Sequence, residues 1–280
     1  MPFYSTADEA GIADLAAAVA KAQVQRFGHC GLGVSTGSRP MAVLLLSDRA
    51  LEIEALTISP APWSTVEVRG RTRPGVRLGG AYLGLPGGRV RRLVPSPRTS
   101  YDFAVSFALS GPGRYDLELS VDLGRGEETA LLVPLYAGVE PEERPTVVPD
   151  EDEAAQVSPR TLLGYINATR ERAGLSPLQL SASLSDLARK HSEEMARSAF
   201  FGHVSPTSGD LLSRLTDAGL SPGKYAENVA RSRTLIRLHQ NLKASPSHRM
   251  QLLDPDYTHV GIGIATSGED LVVTEIFAKL

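Results

Sequence analysis

Phe200-Phe201-Gly202-His203-Val204-Ser205-Pro206, Ala226-Glu227-Asn228-Val229, Ser245-Pro246-Ser247-His248-Arg249, Gly261-Ile262-Gly263-Ile264 and Thr274-Glu275-Ile276-Phe277 follow one another through the last third of a 280-residue chain. Two histidines and a glutamate stand at segment boundaries flanked by turn residues, the pattern of side chains delivered to one cleft. Around them the text is helical. Ser158-Pro159 is an N-cap followed by proline at the first helical position. Leu162, Leu163, Ile166 and Ala173 share one face, and Gly174 ends that helix. Leu184, Leu187, Ala188, His191 and Met195 give a second amphipathic helix. Leu211, Leu212 and Leu215 mark a third, Leu235, Leu238 and Leu242 a fourth. Ser245-Pro246 caps a short fifth, which puts His248 at its third position among free backbone N–H groups. Val260, Ile262 and Ile264 alternate with glycines, and Leu271–Phe277 pairs back across Ser267–Asp270.

In order and spacing this stretch, from about Ser158 to Leu280, resembles the CAP superfamily (cysteine-rich secretory proteins, antigen 5, pathogenesis-related proteins; the SCP domain), and most closely its bacterial, disulfide-free branch. The resemblance implies an α-β-α sandwich with a cleft formed by His203, Glu227 and His248, together with Asn228. Better-known members carry two histidines and two acids there. Here the second acid falls near Ser245, and Leu242 replaces the usual tryptophan just upstream; bacterial relatives commonly show the same Ser-Pro-x-His form. Two imidazoles and a carboxylate can hold zinc with one position open, so His203, His248 and Glu227 are the candidate metal ligands and zinc the candidate cofactor.

Upstream the text changes character. Thr65–Arg71, Val76–Leu83, Arg89–Val94, Tyr101–Leu109, Gly113–Val121 and Thr129–Tyr136 are strand-like runs separated by Gly/Pro turns, which predicts an immunoglobulin-like β-sandwich over residues 61–138, read as a spacer. Residues 139–157 form an acidic linker with Pro141, Pro145 and Pro149. Residues 1–60 suggest a small α/β element: a helix over 8–27, then strands at Gly31–Ser35 and Pro40–Leu46 joined by Thr36–Arg39, and a third at Leu51–Ile58. The expected class is therefore α+β, with residues 158–280 as the CAP-type domain.

Several sharper readings give way to plainer ones. Gly33-Val34-Ser35-Thr36-Gly37 satisfies the nucleophile-elbow pattern, but strand rather than helix follows, so a hairpin is expected. His191 lies on an apolar stripe and reads as a satisfied core histidine. Cys30 reads as a small buried hydrophobe. Eight arginines and no acid lie between Arg69 and Arg98; alternation of Arg69, Arg71 and Arg73 reads as a solvated strand face, and without interleaved aromatics the run does not suit single-stranded nucleic acid.

The net charge of -3 offers no global attraction to nucleic acid or an anionic membrane. A single cysteine allows no intrachain disulfide. No run approaches the ~20 apolar residues that span a bilayer. No signal peptide is legible at Met1–Ser5, whereas the family resemblance implies a secreted or envelope protein; either the protein is cytoplasmic or the true start lies further upstream, and the second is the expectation. The leading function is a binding module that takes a lipid, glycan or other small ligand through His203, Glu227, Asn228 and His248. The alternative is a metal-assisted hydrolase of peptidase or cell-wall type with Glu227 as general base. The third is a structural or adhesive module whose cleft is vestigial.

Overall fold

The computed structural model describes residues 2–6, 29–35, 41–47, 50–124, 126–141, 156–198 and 200–280. The expected helix over 8–27, the turn at 36–39 and most of the linker lie outside the described residues. Class is mixed α+β.

Near the N-terminus β1 (Pro2–Thr6), β2 (His29–Ser35) and β3 (Met41–Ser47) form an antiparallel sheet of order β1-β3-β2. Two of these strands match the expectation; the first carries no turn signal that would have announced it. Ser35 ends a strand paired with β3, so Gly33, Val34 and Ser35 of the Gly-x-Ser-x-Gly run are strand, and the rest of the run lies outside the described residues.

Two four-stranded sheets follow. One contains β4 (Leu51–Ile53), β5 (Thr65–Thr72), β8 (Ser96–Pro97) and β9 (Asp102–Ala108), in the order β4-β5-β9-β8. The other contains β6 (Arg77–Gly84), β7 (Val90–Leu93), β10 (Gly113–Asp122) and β11 (Glu127–Ala137), in the order β11-β10-β6-β7. Strand β4 pairs with β5, so the sandwich begins ahead of residue 61, and the third strand expected for the N-terminal element belongs to the sandwich. The period of two drives the packing. Val66 and Val68 of β5 point inward while Glu67 and Arg69 point out. They meet Phe103, Val105 and Phe107 from β9, and Leu83, Leu117, Leu119 and Leu135 from the facing sheet, in one core. Tyr115, fully buried near the start of β10, donates its hydroxyl to the Gly111 carbonyl at 2.9 Å. The arginine stretch lies largely on outer faces, where Arg69 and Arg98 meet Glu67, Arg71 meets Asp102 and Arg77 meets Asp122 at the surface. Such exposed pairs contribute little.

The C-terminal part is three layers. Its sheet has the order β12-β14-β15-β13, with β12 (Gln179–Leu180), β13 (Lys224–Ser232), β14 (His259–Ser267) and β15 (Asp270–Lys279). Helices α1 (Pro159–Arg172), α4 (Leu235–Ala244) and α5 (Pro246–Leu252) cover one face; α2 (Ala182–Arg197) and α3 (Leu211–Asp217) cover the other. Residues 271–278 of β15 are all buried because both faces are covered. Leu271, Val273 and Phe277 pack with Leu162, Ile166 and Leu238, whereas Ile276 and Ala278 pack with Leu184, Ala188 and Leu215. The caps match the sequence reading: Ser158 and Ser245 accept backbone N–H bonds at the starts of α1 and α5. The Gly261-Ile262-Gly263 alternation is explained by close approach, since a Cβ at either glycine would overlap the backbone of α2 at Leu184, or at Ala188 and Arg189.

Candidate functional site

Glu227 and Asn228 sit in mid-strand on β13, opposite Ile276 and Glu275 of β15. Neighbouring residues of a strand face opposite sides. Glu227 therefore turns toward α2 and α3, and Asn228 toward α4 and α5.

On the first side the Glu227 side chain is 3% exposed. Arg214, from α3, donates to both of its oxygens, at 3.0 and 2.8 Å. His203, at the loop mouth after α2, places Nδ1 3.0 Å from Oε1. A carboxylate already receiving the guanidinium accepts there, so His203 donates from Nδ1. His191 completes the cluster, with Nε2 3.9 Å from Glu227 Oε1 and 3.0 Å from the Gly202 carbonyl. Burial pushes the Glu227 carboxyl up, but the His203 hydrogen bond and the Arg214 charge outweigh it and hold the group below its ordinary value. Burial holds His191 low. His191 is thus the core histidine expected, but its neighbour is the site carboxylate.

On the second side Asn228 donates to Glu275 Oε2 at 3.1 Å and to the His248 carbonyl at 3.3 Å. Glu275 is fully buried, and burial pushes its carboxyl up to about 7 against the opposing Asn228 hydrogen bond. His248 stands at the third position of α5, as expected, with Nδ1 2.7 Å from Ser245 Oγ. Burial lowers its imidazole to about 4.

The sandwich is more than a spacer. The outward row of β10, Asp116, Glu118 and Ser120, faces the CAP-like part. Glu118 is fully buried and accepts from Ser245 Oγ at 2.9 Å, Ser247 N at 2.9 Å, Ser247 Oγ at 2.7 Å and Thr129 Oγ1 at 2.7 Å. Arg249 lies 3.7 Å from Asp116. Between the two parts is a cavity of about 440 Å³. The sandwich lines it with Tyr82, Ser120, Glu127 and Thr129, and the C-terminal part lines it with His203, Tyr225, Glu227, Asn228, His248 and Gln251, among others. Glu127 Oε2 accepts from Tyr82 Oη at 3.0 Å and from Ser120 Oγ at 2.9 Å. All four residues named from the sequence therefore border one cavity.

Their suitability for a metal differs from the expectation. Among the described residues no three His, Cys, Asp or Glu side chains converge as a metal-holding group. Glu227 does not fit as a ligand, because Arg214 occupies both its oxygens and His203 takes one of them as well. The same clamp leaves Glu227 poorly suited to act as a general base, since a base must be free to take a proton. Its position behind His203 is that of an orienting carboxylate. Arg214 and Glu118 were missed in the sequence. Arg214 has no motif around it, and Glu118 reads as one of many outward residues on an alternating strand.

Residues 163–277 match the model of the cysteine-rich secretory protein family, CAP. The protein YkwD of Bacillus subtilis (strain 168) is 36% identical over 103 residues, covering 36% of this chain and 40% of that protein. The membrane protein YlbC of the same organism is 31% identical over 124 residues, covering 43% of this chain and 36% of YlbC. The chain thus spans about two fifths of the length of these relatives. An extracellular SCP-domain protein from Bacillus anthracis, solved as a crystal structure, aligns over 99% of this chain and 94% of its own at 16% identity, with a TM-score of 0.42. No helix among the described residues is long and apolar enough to cross a membrane. With its histidines, glutamate and three-layer arrangement in place, the segment from residue 163 to 277 is a CAP domain of the cysteine-rich secretory protein family.

Proposed function

We propose that this chain is a binding protein of the bacterial surface or exterior, and that the cavity between sandwich and CAP domain takes a small polyhydroxyl ligand of the glycan class. The observation that carries this reading is the cavity wall. Two tyrosines, Tyr82 and Tyr225, face a set of hydrogen-bonding side chains: Glu127, Thr129, His203, His248 and Gln251. Pockets for small ligands pair apolar area with a few placed polar groups. Here the apolar area comes from the tyrosines together with Leu211, Leu212 and Ala226, and the polar side chains are set among them. A lipid tail would offer no hydrogen bond to the second ring nitrogens of His203 and His248, beyond those bonded to Glu227 and Ser245. Sugar hydroxyls both donate and accept, which suits acceptors such as Glu127 beside histidine nitrogens. The extracellular assignment rests on the family.

The test is calorimetric titration with a soluble β-1,4-linked N-acetylglucosamine trisaccharide and, separately, with phosphatidylglycerol vesicles. His203→Ala/His248→Ala should weaken saccharide binding at least about tenfold, the equivalent of one lost hydrogen bond to a well-placed partner. Saccharide binding of equal strength in both proteins, or vesicle binding alone, overturns the proposal.

A further inference from the structure

Ser245 stands where the family resemblance places a second acid, and a carboxylate reaches that place from another domain. We propose that Glu118 of the sandwich is the second acid of the cleft, and that it acts through Ser245 to hold His248 as the Nδ1–H tautomer with Nε2 turned to the ligand. Glu118 is thus a positioning residue. The inference deepens the binding reading above and rests on it only for the word ligand.

The argument is a count of protons. Ser245 Oγ lies 2.9 Å from Glu118 Oε2, 2.7 Å from His248 Nδ1 and 3.1 Å from Ser247 Oγ, the last a neutral and more distant acceptor. A hydroxyl has one proton to give. Glu118 Oε1 accepts from Ser247 Oγ and Thr129 Oγ1, and Oε2 accepts from Ser247 N. A carboxylate so surrounded by donors acts as an acceptor, and a charged acceptor takes the serine proton ahead of a neutral ring nitrogen. Were Ser245 to donate to His248 instead, its lone pairs would face the carboxylate at 2.9 Å with no proton between them. The Ser245 proton therefore goes to Glu118, and the hydroxyl accepts from His248 Nδ1. That ring nitrogen then carries hydrogen. In the neutral imidazole, which burial favours here, Nε2 is left as a bare acceptor. No described residue is recorded as a hydrogen-bond partner of Nε2, and His248 lines the cavity.

The result is a matched pair. His203 donates Nδ1–H to Glu227, a carboxylate of its own domain. His248 donates Nδ1–H to Ser245, which passes the demand of a carboxylate from the neighbouring domain. The acid missing from the CAP sequence is restored by docking, so the cleft has its full complement only while the sandwich is seated. Its ligand should offer an O–H or N–H donor to His248 Nε2.

The experiment is long-range proton–nitrogen correlation spectroscopy of the histidine rings in the full 15N-labelled chain near pH 7, with the His248 signals assigned by comparison with His248→Ala. Wild type is expected to show His248 with hydrogen on Nδ1. Glu118→Ala frees the Ser245 proton for the imidazole, and the ratio of the Nε2–H form to the Nδ1–H form should rise about tenfold or more, the scale of a lost hydrogen bond to a charged group. Glu118→Gln keeps the size and part of the acceptor set and should shift the ratio the same way by less. Ser245→Ala removes the hydroxyl that links Glu118 to His248 and should raise the ratio as Glu118→Ala does. A wild-type His248 with hydrogen on Nε2 overturns the proposal, as does a folded Glu118→Ala with the wild-type ratio. If neither Glu118 variant gives a folded spectrum, the wild-type tautomer together with Ser245→Ala decides: Nδ1–H in wild type with a raised Nε2–H share in Ser245→Ala supports it, and anything else overturns it. The readout needs no ligand, so failure of the saccharide titration leaves this result standing, and the converse also holds.

Discussion

Replacing Glu275 by glutamine should make the protein more stable, and by an amount that depends on pH. Glu275 is fully buried in mid-strand on β15, and its recorded hydrogen bond comes from Asn228 Nδ2, at 3.1 Å. Glu275 Oε1 and Asn228 Oδ1 are buried without a partner among the described residues. Burial moves the carboxyl from an ordinary value of 4.5 to about 7. That gap corresponds to about 3 kcal/mol between the two protonation states. A carboxyl whose value is raised by folding adds stability that is fully present below the unfolded value and is lost as pH rises through the folded one. Below about pH 4.5 both states hold the proton, and wild type and Glu275→Gln differ only by packing. Between pH 4.5 and 7 the unfolded chain releases a proton that the folded protein keeps, so wild type loses ground. Above about pH 7 the loss levels off near 3 kcal/mol. Glutamine is neutral throughout and keeps a carbonyl for Asn228. Urea unfolding of both proteins at pH 5 and pH 8.5 reads the difference, which should widen by roughly 2–3 kcal/mol in favour of the variant at the higher pH. A difference that stays constant across this range, or widens toward acid, would refute the burial argument.

Other perturbations follow from neighbouring geometry. Arg214→Met strips the guanidinium from Glu227 and leaves a buried charge with His203 and His191 alone; unfolding free energy should drop by about 3–5 kcal/mol, and Arg214→Met/Glu227→Gln should recover part of it in the same urea titration. Gly263→Ala forces a Cβ into the backbone of α2, so it should destabilise by about 1–3 kcal/mol or more. Gly164→Ala, on the exposed side of α1 with nothing near the added carbon, should instead stabilise by about 0.5–1 kcal/mol; thermal midpoints moving in the same direction for both glycines would contradict the packing account.

The parts legible in the sequence are those whose pattern is local. Val66 and Val68 alternate with Glu67 and Arg69 because one sheet face is buried and the other wet, and that gave most of the sandwich strands. Ser158-Pro159 and Ser245-Pro246 announced helices because a capping hydroxyl and a proline suit the first turn and little else. Strand β13 escaped notice for a physical reason. It has protein on both sides, and its chemistry-bearing residues Glu227 and Asn228 are held by polar partners, so neither hydrophobic alternation nor an apolar run marks it. Arg214 escaped because a lone arginine on a short helix ordinarily points to water, and only the fold shows it 5% exposed against Glu227. The family resemblance supplied His203, Glu227 and His248 as a set; residue spacing alone could not have separated an orienting carboxylate from a ligand.

Strand β10 shows why the sandwich and the CAP domain belong to one site. Its inward residues, Tyr115, Leu117 and Leu119, are fully buried in the sandwich core. Its outward residues ought to be solvated, and on an isolated sandwich they would be. Yet Glu118 is fully buried against Ser245 and Ser247 of the CAP domain, while Ser120, 2% exposed, is held by Gly80 and Glu127 of the sandwich. Burying a carboxylate costs several kcal/mol unless donors satisfy it. Four donors do so here: Thr129 from the adjoining strand, and Ser245 and two groups of Ser247 from the CAP domain. Undocking would return three of those donors to water and Glu118 with them, and would at the same stroke remove Glu127 and Tyr82 from the cavity wall. The same alternation that folds the sandwich thus finishes the cleft, so docking and ligand binding should be thermodynamically linked: whatever fills the cavity and touches both walls must also hold the two domains together.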